Sequence, residues 1–258
     1  MKTCLYPFDL SFEETYSRFS FMTAGEPVKD FHALISLRSQ GNMIEQEVRN
    51  RFFTSLGIEP SRVFACKQVH SDNIVIVDRQ TLNIYPEGDG MITRDQDLIL
   101  SVVIADCLPV FLYDTENGVF ALVHTGWRGT EICLKAVNIM KEEWNSRPEK
   151  IAAILGPSIR ECCYNVDEER ARYFETTFGI DEGEYPLGAV IRREESCENG
   201  GGDTFYINLQ AANAHILAKA GVRNIAFCRD CTFTDERLGS FRREGEAYTR
   251  MTALLGKF

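Results

Sequence analysis

The sequence is short of histidine, tryptophan and positive charge, and it has no long apolar run. Its 28 Lys and Arg face 38 Asp and Glu, giving a net charge of -10. A protein that grips nucleic acid carries a basic footprint, so this balance argues against a nucleic-acid partner. Small anions stay open, because a few arginines can converge inside an acidic protein. No stretch approaches the roughly 18 apolar residues of a membrane span, so no membrane partner is expected. Asp9, Glu13 and Glu14 interrupt the N-terminal segment, which does not read as a signal peptide. Low-complexity tracts, internal repeats and linker-like stretches are also missing. The expectation is a cytoplasmic protein of ordinary globular composition, 44% hydrophobic and 26% charged.

Nine cysteines are an odd and fairly high count. Without an export signal the reducing cytosol is the default, and a disulfide framework is not expected. Histidines number only four: His32, His70, His124 and His215.

Apolar periodicity predicts an amphipathic helix over 43–56, with Ile44, Val48, Phe52 and Leu56 on one face. Asn42 with Glu45 resembles a capping box for it, and Gly57 stops it. Segments rich in Val, Ile and Phe at 62–66, 73–77, 98–105, 110–113 and 119–123 read as strands, as do 151–155 and 222–228. The near-continuous apolar run 98–104 predicts a strand buried on both faces. Further helices are expected from about Thr130, over 209–220 after the cap Asn208, and as a short piece near Thr249. The glycine-rich 199–203 reads as a surface loop. Helices among many strands without strict alternation favour an α+β layered fold.

Three predicted strands end on, or run into, a metal-capable residue: Lys67-Gln68-Val69-His70, Ala105-Asp106-Cys107-Leu108-Pro109 and His124-Thr125-Gly126-Trp127-Arg128-Gly129. Strand ends beside tight turns are rigid and open to solvent on one side, which suits site residues. Two imidazoles and a thiolate suit zinc, and three protein ligands leave the fourth tetrahedral position free, as in catalytic sites. The spacing itself is unspecific; taken singly, Cys107 reads as a buried small hydrophobe and each histidine as a strand cap. Arg51, Arg128, Arg242 and Arg243 are candidates to clamp phosphate, since a guanidinium matches it bidentately. Arg51 stands beside the apolar stripe of the first helix and is the leading one. Arg243 reads more readily as a partner of a surface carboxylate. Asp106 is read evenly as a turn cap or as a proton donor or orienting partner of a ligand histidine. Asp89, within Gly88-Asp89-Gly90, reads as a turn residue. Cys228-Arg229-Asp230-Cys231 has the spacing of half a zinc knuckle, which Cys162 and Cys163 could complete; packed thiols are the plainer reading. His215 reads as a partly exposed helix residue.

The strings Lys67–His70, Ala105–Pro109 and His124–Gly129 are followed by Gly156-Pro-Ser-Ile159, Cys162-Cys-Tyr164 and Ser240-Phe-Arg-Arg243. In that order they resemble the laccase-domain (YfiH-type) family over nearly the whole chain. That family was first described as multicopper polyphenol oxidases and is now regarded as purine nucleoside phosphorylases. The resemblance implies a single domain over residues 1–258, built of two packed mixed β-sheets with helices on the outer faces. It also implies a zinc ion held by His70, Cys107 and His124. Phosphorolysis of adenosine, inosine, guanosine and S-methyl-5'-thioadenosine is the implied activity, with adenosine deamination beside it. Asp106 and Arg51 are then the expected catalytic residues, and Gln68, Arg128 and Arg242 the expected substrate or phosphate ligands. The sequence departs from the family pattern at 19–41, at 87–90 and at Thr125; the metal residues themselves are unchanged, and the 19–41 difference bears on the shape of the substrate pocket.

Copper oxidation fails a simple count. A type 1 copper with a trinuclear cluster needs about ten histidines (softness and geometry rules in), and this chain has four. A different class stays open: Cys107 and His124 as a thiol–imidazole pair that hydrolyses an amide. A third is a zinc-stabilised binding module without turnover. The oligomeric state is not legible.

Overall fold

Branched and aromatic side chains pack well on a pleated surface, and the Val-, Ile- and Phe-rich segments form strands. The computed structural model describes residues 3–23, 26–82, 84–179, 187–194 and 203–258, so most of the 199–203 loop lies outside the described residues. Strands β1 (Cys4–Phe8), β2 (Tyr16–Thr23) and β3 (Glu26–Ser36) precede helix α1 (Gln46–Ser55). Next come β4 (Val63–Ala65), β5 (Ile74–Ile76), β6 (Gly90–Thr93), β7 (Ile99–Ile104), β8 (Leu108–Asp114) and β9 (Phe120–Thr125). Helix α2 (Ile132–Trp144) leads to β10 (Ile151–Leu155), β11 (Asn165–Val166) and α3 (Glu168–Phe178). The order closes with β12 (Ile191–Glu194), β13 (Thr204–Ile207), α4 (Leu209–Lys219), β14 (Asn224–Cys228), α5 (Phe241–Glu244) and β15 (Met251–Gly256).

A seven-stranded mixed sheet, β1-β14-β10-β8-β9-β6-β5, packs on a five-stranded mixed sheet, β2-β3-β15-β7-β4. This is the expected α+β architecture of two packed mixed sheets. A small antiparallel sheet, β11-β13-β12, is an addition that the sequence did not reveal. Strand alternation assigns each side chain to a layer. In β8 and β9, Phe111, Phe120 and Leu122 point between the sheets, while Val110, Leu112, Ala121 and Val123 point to the α2 and α4 side. In β3, β7 and β15, Leu34, Ile99 and Leu254 point the other way, onto Val48, Phe52 and Phe53 of α1. With covers on both faces, these strands have no solvent side, which is why their sequences are continuously apolar. Rings interlock between the sheets: Phe31 meets Phe120 edge-on at 4.9 Å between centroids, and Phe19 meets Phe111 at 5.8 Å.

Four readings of local sequence are corrected. The segment after Thr249 is the buried strand β15, not a short helix. Met, Ala and Leu favour helix intrinsically, but the slot between β3 and β7 takes their backbone into a ladder on both sides. The short helix lies earlier, at α5, capped by Ser240 accepting from the Arg243 amide. Helix α1 starts at Gln46, and no side-chain bond caps Glu45, so the capping box is not formed. His215 is buried in α4, which is covered nearly all round. Ile44, assigned to the apolar stripe, is exposed.

Candidate metal centre

Three backbone devices bring His70, Cys107 and His124 together. The turn between β7 and β8 carries Cys107, and Asp106 before it takes φ +82°. In the β8–β9 ladder His124 stands opposite Pro109, so Cys107 and the histidine share one end of that pair. His70 rides on the loop between β4 and β5 with φ +57°. Positive φ is costly for a non-glycine residue, and such positions persist only where surroundings hold them. Their ligand atoms all lie within 4.8 Å of one another, with Cys107 Sγ 4.0 Å from His70 Nε2. Gly126 lets the backbone lie against this trio: a Cβ there would stand 3.2 Å from the Cys107 sulfur and 3.4 Å from the His70 ring.

Asp89 does the orienting. It is buried, and its Oδ1 accepts from His124 Nδ1 at 2.9 Å. That bond fixes the tautomer and leaves Nε2 as the free donor atom, the usual arrangement behind a ligand histidine. The other oxygen accepts from the amides of Val69 (3.2 Å) and Ser71 (2.6 Å) and from the Ser71 hydroxyl (2.9 Å). One carboxylate thus aims His124 and pins both neighbours of His70 in its left-handed turn. Burial alone would raise the Asp89 carboxyl, but its bonds from His124 and Ser71 prevail and hold it well below the usual range. By local sequence alone Asp89 is a turn residue. Its role becomes visible only in the β6–β9 pairing, where Gly90 faces Val123.

The electrostatics fit a metal site. Burial pushes the Cys107 thiol up, but the charge and hydrogen bonds of His124, with those of His70, outweigh it and bring it down to about 6. Burial disfavours the His124 cation, yet the Cys107 thiolate and Asp89 raise it to about 9. Each group thus favours the charged form of the other, the thiolate on Cys107 and the imidazolium on His124. Two imidazole nitrogens and a sulfur, converging and held from behind, are a donor set that fits a borderline-soft transition ion.

The trio stands between two cavities. One, of about 370 Å³, is lined by Trp127, Ile159, Tyr164, Leu209 and Phe241 with Arg170, Arg242 and Asp106. The other, of about 340 Å³, is lined by Arg49, Lys67, Gln68, Tyr85 and Arg250 among others. His70, Ala105, Cys107 and Tyr248 belong to both walls.

The remaining candidates divide. Arg242 reaches the larger cavity, and its amide donates to Asp106 Oδ2 at 2.7 Å. Asp106 Oδ1 accepts from the Thr232 hydroxyl at 2.6 Å, so Asp106 ties the Thr232 loop and the start of α5 to the turn before Cys107 and bonds to no ligand histidine. Gln68 spends both ends of its amide on the backbone of Val103, at 2.9 and 2.7 Å, and so clamps the loop to β7. Arg128 is exposed and lies over the Trp127 ring at 4.8 Å. Arg51 is exposed and lines neither cavity, whereas Arg49, two residues earlier, lines the smaller one. Successive helical residues turn by about 100°, so two positions separate opposite flanks of α1. Arg243 binds the carbonyls of Thr232, Phe233 and Asp235 and braces that loop. Asp89, Arg49, Arg170 and Tyr248 are the site residues that the sequence reading missed. For Asp89 the available signal was a carboxylate between two glycines in a segment otherwise poor in partners for two histidines.

Fold and site together define a class: an α+β protein whose strand ends carry a His–Cys–His metal-capable centre between two cavities. The chain belongs to the multi-copper polyphenol oxidoreductase laccase family, whose model matches residues 39–257. It is 31% identical over 200 residues to a purine nucleoside phosphorylase of Corynebacterium glutamicum, covering 76% of this chain and 75% of that protein. It is 30% identical over 203 residues to an adenosine deaminase of an unknown prokaryotic organism, covering 71% and 73%. Among solved structures, YlmD of Geobacillus stearothermophilus matches with TM-score 0.80 and 25% identity over 96% of this chain and 98% of that one. The copper in the family's description meets the histidine count again. His32 packs on Phe258 and His215 lies within α4, which leaves two histidines at the centre. Among the described residues no helix is long and apolar enough to cross a membrane.

Proposed function

We propose that this protein is a zinc-dependent purine nucleoside phosphorylase acting on adenosine, inosine, guanosine and S-methyl-5'-thioadenosine, with adenosine deamination as a side activity. The observation that carries this reading is the shared wall: a reaction of two substrates has two cavities converging on one centre. The larger suits the nucleoside. Trp127, Tyr164 and Phe241 line it with aromatic rings suited to a purine, and its volume of about 370 Å³ lies in the range of small-molecule sites. The smaller suits phosphate, with Arg49, Lys67 and Arg250 on its wall. Arg49 here takes the part that the sequence reading gave to Arg51.

His70, Cys107 and His124 would hold the zinc, which when bound supplies a Lewis acid beside the substrates. In phosphorolysis a phosphate oxygen bonds to the sugar C1' as the C–N bond breaks, and the bonding pair leaves with the purine, which takes up the proton given up by the attacking dihydrogen phosphate. The basic wall holds the nucleophile in place, and the aromatic wall orients the base and excludes water. Asp106, with both oxygens already engaged, is a positioning residue of the larger cavity and does not supply the proton. Arg128 supports the nucleoside wall through Trp127, and Gln68 fixes the loop that carries His70.

Incubation of the purified protein with inosine and phosphate should yield hypoxanthine and ribose 1-phosphate, resolved by chromatography. No base release from any purine nucleoside, at full metal content, would overturn the reading. A second reading has its own observation: Asp89, His124 and Cys107 form a carboxylate–imidazole–thiolate relay, the constellation of a cysteine amidohydrolase. A sulfur bound to zinc is not a free nucleophile. Metal-free protein that cleaves amides, and loses this on zinc addition, would establish the amidase instead.

A further inference from the structure

Three cysteines outside the centre converge in the same way. Cys162 and Cys163 lie in the segment between β10 and β11, and Cys231 follows β14. Their sulfurs all lie within 4.8 Å of one another, and those of Cys162 and Cys163 are 3.4 Å apart. All three are free thiols. Sulfurs sharing an ion at about 2.3 Å stand roughly 3.7–4.0 Å apart, so small rotations complete a common shell. Cys231 is buried, Cys163 half-buried and Cys162 exposed, which gives an ion a path inward from solvent. The backbone holds the pieces in register: Ser158 forms a bridge with Cys231, and the Arg160 amide lies 3.4 Å from the Cys231 sulfur and donates to it. Nearby cations are already matched, Arg160 by Glu161, Arg229 by Asp9 and Arg237 by Asp235. No imidazole belongs to this group.

We propose that Cys162, Cys163 and Cys231 form an all-thiolate site for a soft cation of the Cu(I) class. Three sulfurs with no nitrogen or oxygen donor favour a soft ion content with three ligands, whereas zinc seeks a fourth. Binding replaces S–H bonds with S–metal bonds and releases the thiol protons to solvent, with no change in oxidation state. The site lies behind the larger cavity. Thr232, next to Cys231, holds Asp106, and Tyr164, next to Cys163, lines the cavity wall. An ion there ties the 156–164 segment to the 228–235 loop and so stiffens that wall.

The test uses the full chain carrying Cys107→Ser, which disables the first centre, reduced and titrated with Cu(I) buffered by a chromogenic chelator. One equivalent of Cu(I) should be withdrawn from the chelator. Adding Cys162→Ser, whose exposed position spares the fold, should weaken it by roughly tenfold or more. Cys4→Ser in the same background should bind like the parent. Retained binding in Cys162→Ser and Cys163→Ser, or no equivalent withdrawn by the parent, would overturn the site. A disulfide among the three that re-forms in a glutathione buffer of cytosolic poise would also overturn it, in favour of a redox pair.

Discussion

The two clusters of metal-capable side chains each gather three ligand atoms within 4.8 Å of one another, and they have opposite characters. Cys107 sits with two imidazoles, and its thiol falls to about 6 although burial opposes this. In the other cluster, burial and the Cys163 and Cys231 sulfurs push the Cys162 thiol up to about 12. The same functional group differs this much because a thiolate is stabilised by a neighbouring imidazolium and destabilised by neighbouring sulfurs. The first centre is poised to bind an ion or attack an electrophile at neutral pH. In the second, the raised Cys162 and Cys163 thiols disfavour the thiolate, so a cation must displace their protons. Rigidity differs as well: Asp89 braces the first from behind with four hydrogen bonds, and among the described residues no carboxylate bonds to the sulfurs of the second.

The comparison breaks most directly at the ligands. Cys107→Ser or His124→Ala should remove most of the zinc, measured by elemental analysis of purified protein, while Cys162→Ser keeps it. Full zinc in the first two variants would end the ligand assignment. The next largest effect belongs to the brace. Asp89→Asn should weaken zinc by about 10–100-fold in a chelator competition, and Asp106→Asn should leave zinc affinity near that of the parent. Equal losses in both would mean that general loop disorder, not orientation, is being read.

The thiols themselves give a third test. In metal-free protein, alkylation of Cys107 followed by peptide mapping should rise with pH around a midpoint near about 6 and level off above it. The direction follows from the lowered thiol: its thiolate fraction grows as pH rises through that value. Asp89→Asn should move the midpoint upward by weakening the imidazolium that holds the thiolate. A midpoint at the ordinary thiol value of about 8.5 would show that the imidazoles do not act on the sulfur. The arginines give the smallest contrast. Arg49→Ala should raise the KM for phosphate by about tenfold, the equivalent of roughly 1.4 kcal/mol, with the nucleoside KM little changed. Arg51→Ala, exposed and off both walls, should stay within about 0.5 kcal/mol of the parent. The reverse result would return phosphate binding to Arg51.

Much of this protein is set by local chemistry and is therefore readable in the chain. Strands β7 to β10 announce themselves because residues buried on both faces must be apolar throughout. His70, Cys107 and His124 stand out because few residue types bind metal and only four histidines exist. Other features depend on partners far away in sequence. Strand β15 is made of helix-favouring residues and becomes a strand only because β3 and β7 flank it. Asp89 looks like a turn residue until β6 pairs with β9 and sets it under His124. Cys231 looks like the partner of Cys228, yet β14 and the segment after β10 bring it to Cys162 and Cys163 instead. Arg49 and Arg51 share one helix and one charge, and only the packing of α1 decides which faces a cavity. Residue type and period fix what a segment can do; its long-range neighbours, set by sheet register, fix what it does.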